Sequence, residues 1–354
     1  MSLVDRYLQD VLSQDGSDLH LLAGDPPRIR RYGDLRQIEP GALRADELRD
    51  ALYAIMPRAT QHTFERHDSA DFAYMVPDLA RFRVNVFRHL NGMGAVFRAI
   101  PARAKSLEEL DMPQAVHNLS RSTNGLILVT GKTGSGKSTT LAAMVDAINS
   151  RLRGHILTIE DPIEFVHRRK NCLISQREVG THSPSFAAAL HSALREDPDV
   201  ILVGEMRDLE TIGIAVTAAE MGILVMGTLH TNGAAATVDR IVNAFPSDKQ
   251  SHIRTMLSTS LRGVVSQQLV PRKDGKGRVP ALEILINNSA VGNLIRQGKL
   301  DQLESTMQAG GNTGMRTMDA ALRELFDRRF ISGRDAYYAA SNKASFEDLR
   351  EVTR

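Results

Sequence analysis

The stretch Gly131-Lys132-Thr133-Gly134-Ser135-Gly136-Lys137-Ser138 has the spacing G-x-x-x-x-G-K-[ST] of a phosphate-binding loop. Glycines let backbone N–H groups close on phosphate oxygens where a Cβ would collide. Lys137 is placed to reach the β and γ phosphates, and the Ser138 hydroxyl to hold Mg²⁺. Gly131, Thr133, Gly134, Ser135, Gly136, Lys137, Ser138 and Thr139 are therefore the candidate nucleotide contacts. The apolar run Leu126–Thr130 predicts a strand before the loop, and a helix is expected to begin near Ser138. That setting also points the positive end of a helix at the ligand. The chemistry implied is binding of ATP or GTP with Mg²⁺.

Three further clusters supply groups that could act on such a ligand. In Thr158-Ile159-Glu160-Asp161-Pro162-Ile163-Glu164 a strand ends among acids. The carboxyl ends of strands line the ligand site in doubly wound sheets, so Glu160 and Glu164 could hold Mg²⁺ through water or orient an attacking water. A solvated turn, with Glu160 capping a helix, is the alternative. In Asp197-Pro198-Asp199-Val200-Ile201-Leu202-Val203-Gly204-Glu205 an apolar strand is followed by an acid displaced by Gly204. Glu205 is placed to polarise water for in-line attack, and Arg207 and Asp208 could form an ion pair nearby. In Gly227-Thr228-Leu229-His230-Thr231-Asn232 another strand ends in a histidine. His230 could hydrogen-bond a γ-phosphate and report its loss, although a lone histidine serves structure as readily. The other histidines lack ligand spacing, so no structural metal is expected. Finally, Arg81 and Arg83 share one face of a strand by alternation, with Arg88 and Arg98 nearby. They are either solvated surface or, if that face meets a neighbour's ATP, arginine fingers.

These groups must be positioned by two kinds of element. Residues 3–12 place apolar side chains at helical spacing, Asp18–Leu21 alternates like a strand, and Arg28 to Ile38 reads as a hairpin turning at Gly33-Asp34. Residues 44–56 are helical up to Pro57, and Phe72–Tyr74, Phe82–Phe87 and Ala95–Ile100 read as strands. Residues 1–100 are thus a small α+β unit, and 101–114 a linker beginning at Pro101. From 115 the rhythm changes. Leu126–Thr130, Ile156–Ile159, Val200–Val203, Leu224–Leu229 and Leu282–Ile286 are continuous apolar runs between helical stretches. Such runs suit strands buried on both faces of a parallel sheet with right-handed crossovers, hence an α/β fold over 115–354. Helices from about 288 close the chain, with a Gly-rich joint at Gly310–Gly314.

Composition bounds the remaining classes. The 354 residues suit two domains, and 42% hydrophobic with 24% charged residues is ordinary for a soluble globular chain. With 44 basic against 42 acidic residues and no basic block interleaved with aromatics, nucleic-acid binding is not expected. A single cysteine, Cys172, excludes an internal disulfide framework and paired-cysteine zinc sites. No signal peptide and no membrane-spanning run are seen, so a cytoplasmic protein with at most peripheral membrane contact is expected.

The boxes occur together, in order, in one family. The chain closely resembles the type IV pilus retraction ATPases of the secretion ATPase superfamily, almost end to end. The resemblance is carried by Ser17-Asp18-Leu19-His20-Leu21, Arg81-Phe82-Arg83-Val84-Asn85, the phosphate loop, residues 158–167, residues 195–211, residues 227–232, Asp239-Arg240-Ile241 and Phe245-Pro246. It implies a PAS-like N-terminal domain, a RecA-like P-loop NTPase core, and a homohexameric ring with ATP between the domains. It also implies that Glu205 is the catalytic glutamate, Glu160 and Glu164 the acidic-box carboxylates, and His230 the histidine-box sensor. Arg83 and Arg98, then Arg81 and Arg88, become finger candidates. ATP hydrolysis with Mg²⁺ would drive domain rotation against an inner-membrane platform protein at the pilus base, and a paralogous retraction ATPase is a possible companion.

Two departures stand out. Lys132 replaces the proline usual after the first glycine of the family's loop. In the segment Ala290-Val291-Gly292-Asn293-Leu294-Ile295-Arg296-Gln297, Gly292 stands for Arg and Gln297 for Glu of the family's retraction motif. An assembly or secretion ATPase is the first alternative, although the chain lacks the cysteine pairs of the zinc-bearing assembly enzymes. An accessory ring subunit and a RecA-like nucleic-acid translocase are the others.

Overall fold

The chain folds into two units, Met1–Arg103 with Glu164–Val166, and Ala104–Ile163 with His167–Arg354. The computed structural model describes residues 2–351 apart from 15, 32, 33, 78, 101 and 102. The expected turn at Gly33 and the linker onset at Pro101 therefore lie outside the described residues.

In the first unit, Ser2 starts α1 (Leu3–Ser13): its hydroxyl accepts from the Asp5 N–H at 3.1 Å while the Asp5 carboxylate accepts from the Ser2 N–H. Strands β1 (Asp18–Leu22), β2 (Arg28–Arg31), β3 (Asp34–Gln37), β4 (Ser69–Val76), β5 (Ala80–His89) and β6 (Gly92–Ile100) form an antiparallel sheet ordered β3-β2-β1-β6-β5-β4. Alternation sends Leu19, Leu21, Ile29, Phe82, Val84, Val86 and Phe97 into a core shared with α1, α2 (Ala45–Ile55) and α3 (Arg58–His67). Helix α3 was not expected from sequence. It buries one residue, Phe64, so it carries no periodic apolar stripe.

In the second unit, α4 (Gln114–Leu119) precedes a seven-stranded sheet. Its strands are β7 (Gly125–Thr130), β8 (His155–Glu160), β9 (Leu173–Glu178), β10 (Val200–Val203), β11 (Leu224–Leu229), β12 (Leu261–Pro271) and β13 (Arg278–Ile286), in the order β13-β12-β7-β11-β10-β8-β9. The helices are α5 (Lys137–Arg151), α6 (Phe186–Ala193), α7 (Leu209–Glu220), α8 (Ala234–Asn243), α9 (Ser247–Ser260), α10 (Ser289–Gln297), α11 (Leu303–Ala309), α12 (Met318–Asp327) and α13 (Gly333–Ala339). Successive strand residues enter different cores. Leu126, Leu128, Leu157, Ile159, Ile201 and Val203 pack with α6 to α9, whereas Ile127, Val129, Ile156, Val200 and Leu202 pack with α5. Burial on both faces is what made these strands continuously apolar.

Three features correct the expected sheet. Leu282–Ile286 is not a parallel strand: it lies in β13, which runs antiparallel to β12. The two are joined through residues 272–277, too short a connection for the crossover a parallel pair needs. Strands β9 and β12 were not expected. Polar residues interrupt both, Ser175 to Glu178 on the edge strand β9 and Ser266 to Gln268 on β12. On β12, Ser266 and Gln267 bond segments that flank the site.

Candidate active site

The phosphate loop joins the end of β7 to α5, whose first residue is Lys137. Its glycines are sterically required. At Gly131 (φ +139°) a Cβ would lie 2.3 Å from the Gln267 carbonyl oxygen, and at Gly136 (φ +90°) 2.6 Å from Gln267 Nε2. The buried Lys137 donates from Nζ to the carbonyls of Gly131 at 2.8 Å and Lys132 at 3.1 Å, so its ammonium lies across the loop. Ser135 Oγ is buried and has no hydrogen-bond partner among the described residues. An orphaned hydroxyl, an ammonium and a glycine cradle together fit a phosphate anion.

Gln267 holds the loop from β12. Its Nε2 donates to the Ser135 carbonyl at 2.7 Å and its Oε1 accepts from Thr140 Oγ1 at 2.8 Å. One side chain thus fixes both the loop and the first turns of α5. Sequence reasoning missed it; the available signal was a Ser-Gln-Gln interruption in an otherwise apolar run.

The sheet order β7-β11-β10-β8 brings the other candidates together. These four strands are parallel neighbours, so the phosphate loop, His230 and Glu205 follow three of them, and Glu160 ends the fourth, at consecutive carboxyl ends. His230 Nε2 lies 2.9 Å from Glu205 Oε1. Arg207 Nε bonds the same oxygen, which holds the exposed guanidinium still more firmly in its charged form. The Arg207–Asp208 ion pair is not formed. Asp208 instead caps α7, accepting from the Thr211 N–H at 2.8 Å and Thr211 Oγ1 at 2.7 Å. Gly204 explains why the acid is displaced by one residue: a Cβ there would lie 3.1 Å from the Ile159 carbonyl oxygen and 3.2 Å from Glu160 Cα. Backbone bonds Gly204 N–Ile159 O at 2.7 Å and Met206 N–Thr228 O at 3.0 Å fasten this end of the sheet.

Glu160 is buried. Its Oε1 accepts from Thr158 Oγ1 at 2.7 Å and from Gln176 Nε2 at 3.4 Å. Gln176 Oε1 in turn accepts from the His167 N–H at 2.8 Å. Burial pushes the His167 imidazole down to about 4. Among the described residues, no group of three or more His, Cys, Asp or Glu side chains could hold a metal. One hydroxyl (Ser138) and one carboxylate (Glu160) suit a cation that keeps water and phosphate oxygens as most of its ligands, which is the habit of Mg²⁺.

Glu164, Arg81, Arg83 and Arg98 belong to the first unit. Register places Arg83 opposite Arg98 and Arg98 opposite Asp18, so the three share the face away from the core. Arg98 Nε donates to Asp18 Oδ1 at 2.8 Å, Arg88 pairs with Asp68 at 2.6 Å, and Arg83 is exposed.

The two departures in α10 differ in kind. Gly292 is buried against α9, and a Cβ there would lie 2.9 Å from the Ser258 carbonyl oxygen. An arginine would require α10 to lift from α9. Gln297 is exposed and only bonds Asn293 at 3.2 Å.

The family profile of the type II/IV secretion system proteins matches residues 1–326. The chain is similar to the type IV pilus retraction ATPase PilT of Pseudomonas aeruginosa, with 51% identity over 333 residues covering 94% of this chain and 96% of the relative. Similarity to the type IV pilus ATPase PilU of the same organism is 38% over 346 residues, covering 98% and 90%. A crystal structure of the pilus retraction motor PilT with bound ADP superposes with a TM-score of 0.91 at 43% identity, covering 99% of this chain and 100% of that one.

Proposed function

The chain belongs to the type II/IV secretion system protein family, and on that premise we propose that it is an ATP-hydrolysing motor that withdraws type IV pili. The observation that carries this reading is the row formed by the phosphate loop, His230, Glu205 and Glu160 at consecutive strand ends. ATP phosphates lie in the loop, where Ser135 Oγ and backbone N–H groups donate. The Lys137 ammonium exchanges its two carbonyl partners for phosphate oxygens. Ser138 and Glu160 would hold Mg²⁺, which when bound neutralises charge on the phosphates. The Glu205 carboxylate orients the attacking water and accepts its proton. His230, already against that carboxylate, senses the γ-phosphate. Arg81, Arg83 and Arg98 are candidates for charge supplied to a neighbouring subunit's nucleotide, and Glu164 for a second acidic-box contact.

In this reading residues 1–100 are the PAS-like domain, 101–114 the linker and 115–354 the RecA-like domain. Subunits assemble as a homohexamer at the cytoplasmic base of the pilus and act on an inner-membrane platform protein. Among the described residues no helix is long and apolar enough to cross a membrane. The similarity to both PilT and PilU leaves a companion ATPase as the second reading, favoured by the tight seat of Gly292. Deleting the gene and imaging cells separates the cases. Many pili that never shorten are expected. Loss of all pili would overturn retraction in favour of assembly, and a defect seen only under load would favour the accessory role.

A further inference from the structure

We propose that Glu283 is a positioning residue for hydrolysis: its carboxylate fixes the start of α8, and with it the loop carrying His230, and ties both to the start of α12. The inference rests on the ATPase reading and adds a part to it.

Helix α8 begins just after His230-Thr231-Asn232-Gly233, and its N-cap residue is Gly233, with φ +94° and no side chain to cap with. The first N–H groups are instead satisfied from the neighbouring hairpin. Ser266 on β12 and Glu283 on β13 are opposite in register. Ser266 Oγ accepts from the Gly233 N–H at 2.9 Å, and Glu283 Oε1 accepts from the Ala234 N–H at 2.6 Å. The loop back to His230 is stiffened by Thr237 Oγ1, which lies 2.7 Å from Thr231 Oγ1 and donates to the Gly233 carbonyl at 2.7 Å. A carboxylate at a helix N-terminus is favoured by the helix dipole as well as by the hydrogen bond.

The second oxygen does the same for another helix. Glu283 Oε2 accepts from the Met318 N–H, the first of α12, at 3.2 Å. That end of α12 is also fastened to β13 by backbone bonds between Ile284 and Arg316 at 2.9 and 3.0 Å, and by Arg316 Nε to the Leu282 carbonyl at 2.9 Å. One side chain therefore bridges the sensor loop and the C-terminal helices. The next residue after Ser266 is Gln267, which holds the phosphate loop, so one hairpin touches every nucleotide-facing segment but the acidic ends of β8 and β10. Glu283 sits in a costly place: burial raises its carboxyl, and Glu304 and Asp319 add like charge. A residue serving only sheet packing would be apolar there.

The test compares wild type, Glu283→Gln, Glu283→Asp, His230→Ala and the double variant His230→Ala/Glu283→Gln. Glutamine keeps one acceptor and presents an NH₂ to the other N–H; aspartate keeps the charge but is one methylene too short to span both helices. Glu283→Gln is expected to lower kcat by about tenfold while KM for ATP changes by less than about threefold. In the His230→Ala background the same change should cost less than about twofold, because the effect runs through His230. Equal fold losses in both backgrounds, or wild-type kcat in a folded Glu283→Gln, would overturn the proposal. Hydrogen exchange supplies the readout independent of turnover: Glu283→Gln or Glu283→Asp should speed exchange at both 234–236 and 318–320. Unchanged exchange at either segment also overturns it, whereas absence of turnover in wild type would overturn the ATPase reading alone.

Discussion

The phosphate loop is one stretch of chain shaped by its own glycines, whereas the Glu205–His230 pair exists only because β10 and β11 lie side by side. The loop's charge, Lys137, is held by two carbonyls that a phosphate can replace. The pair's charge is held by other side chains, with Glu205 bound by both His230 and Arg207. In the proposed reading, binding is built from a contiguous segment with exchangeable partners, and catalysis from strand ends whose spacing the sheet dictates. Substitutions in the two regions should therefore separate KM from kcat.

The largest effect should come from Lys137→Ala, which removes the ammonium and leaves the β and γ phosphate charge uncompensated. ATP turnover is expected to fall at least about a thousandfold, with nucleotide binding weakened as well. Glu205→Gln should cost about a hundredfold in kcat while ATP binding is retained, since the amide still fits between His230 and Arg207 but cannot take a proton. Turnover assays with equilibrium binding of a fluorescent nucleotide read both. If Glu205→Gln weakens binding as much as Lys137→Ala does, the division of labour is wrong. If it hydrolyses normally, Glu160 is the better base.

What was legible in the sequence follows the same division. The loop, the two strand-end acids and His230 stand out as candidates because each lies in a contiguous, strongly patterned box, and the sheet brings them to neighbouring strand ends. Ser266, Gln267 and Glu283 were not, because their partners are far along the chain and are reached only through the β12–β13 register. The same gap explains β13, where an apolar run identified a strand but could not give its direction. It also explains Asp208, whose role as a helix cap depends on where α7 starts and not on its neighbour Arg207. For α3 the failure was local, since one buried phenylalanine makes no period.

Gln267→Ala probes the loop from the scaffold that braces it. It leaves the Ser135 carbonyl and the Thr140 hydroxyl without their partner, a loss of about 1–3 kcal/mol. The melting temperature should drop by about 3–10 °C, and KM for ATP should rise about tenfold with a smaller change in kcat. A lower melting temperature with unchanged KM would make Gln267 a structural brace alone.

The smallest expected effect separates the two regions by pH. The side chains of Gln267, Ser135 and Thr140 around the loop do not ionise near neutrality, whereas the acidic box contains His167. Burial lowers its imidazole from the ordinary 6.5 to about 4, with Asp146 opposing the shift. The folded state therefore binds fewer protons than the unfolded chain between those values. The resulting stability is complete above pH 6.5 and is lost as pH falls toward 4, by up to about 3 kcal/mol. The His167 backbone N–H bonds Gln176, which bonds Glu160, so this imidazole sits beside the strand-end side of the site and not beside the loop. His167→Gln should flatten the decline in urea midpoint between pH 6.5 and 4.5 relative to wild type, leaving the remaining decline to the carboxylates. Parallel pH profiles for the two proteins would mean that His167 is solvated in the folded state, and acid sensitivity would then belong to no single region of the site.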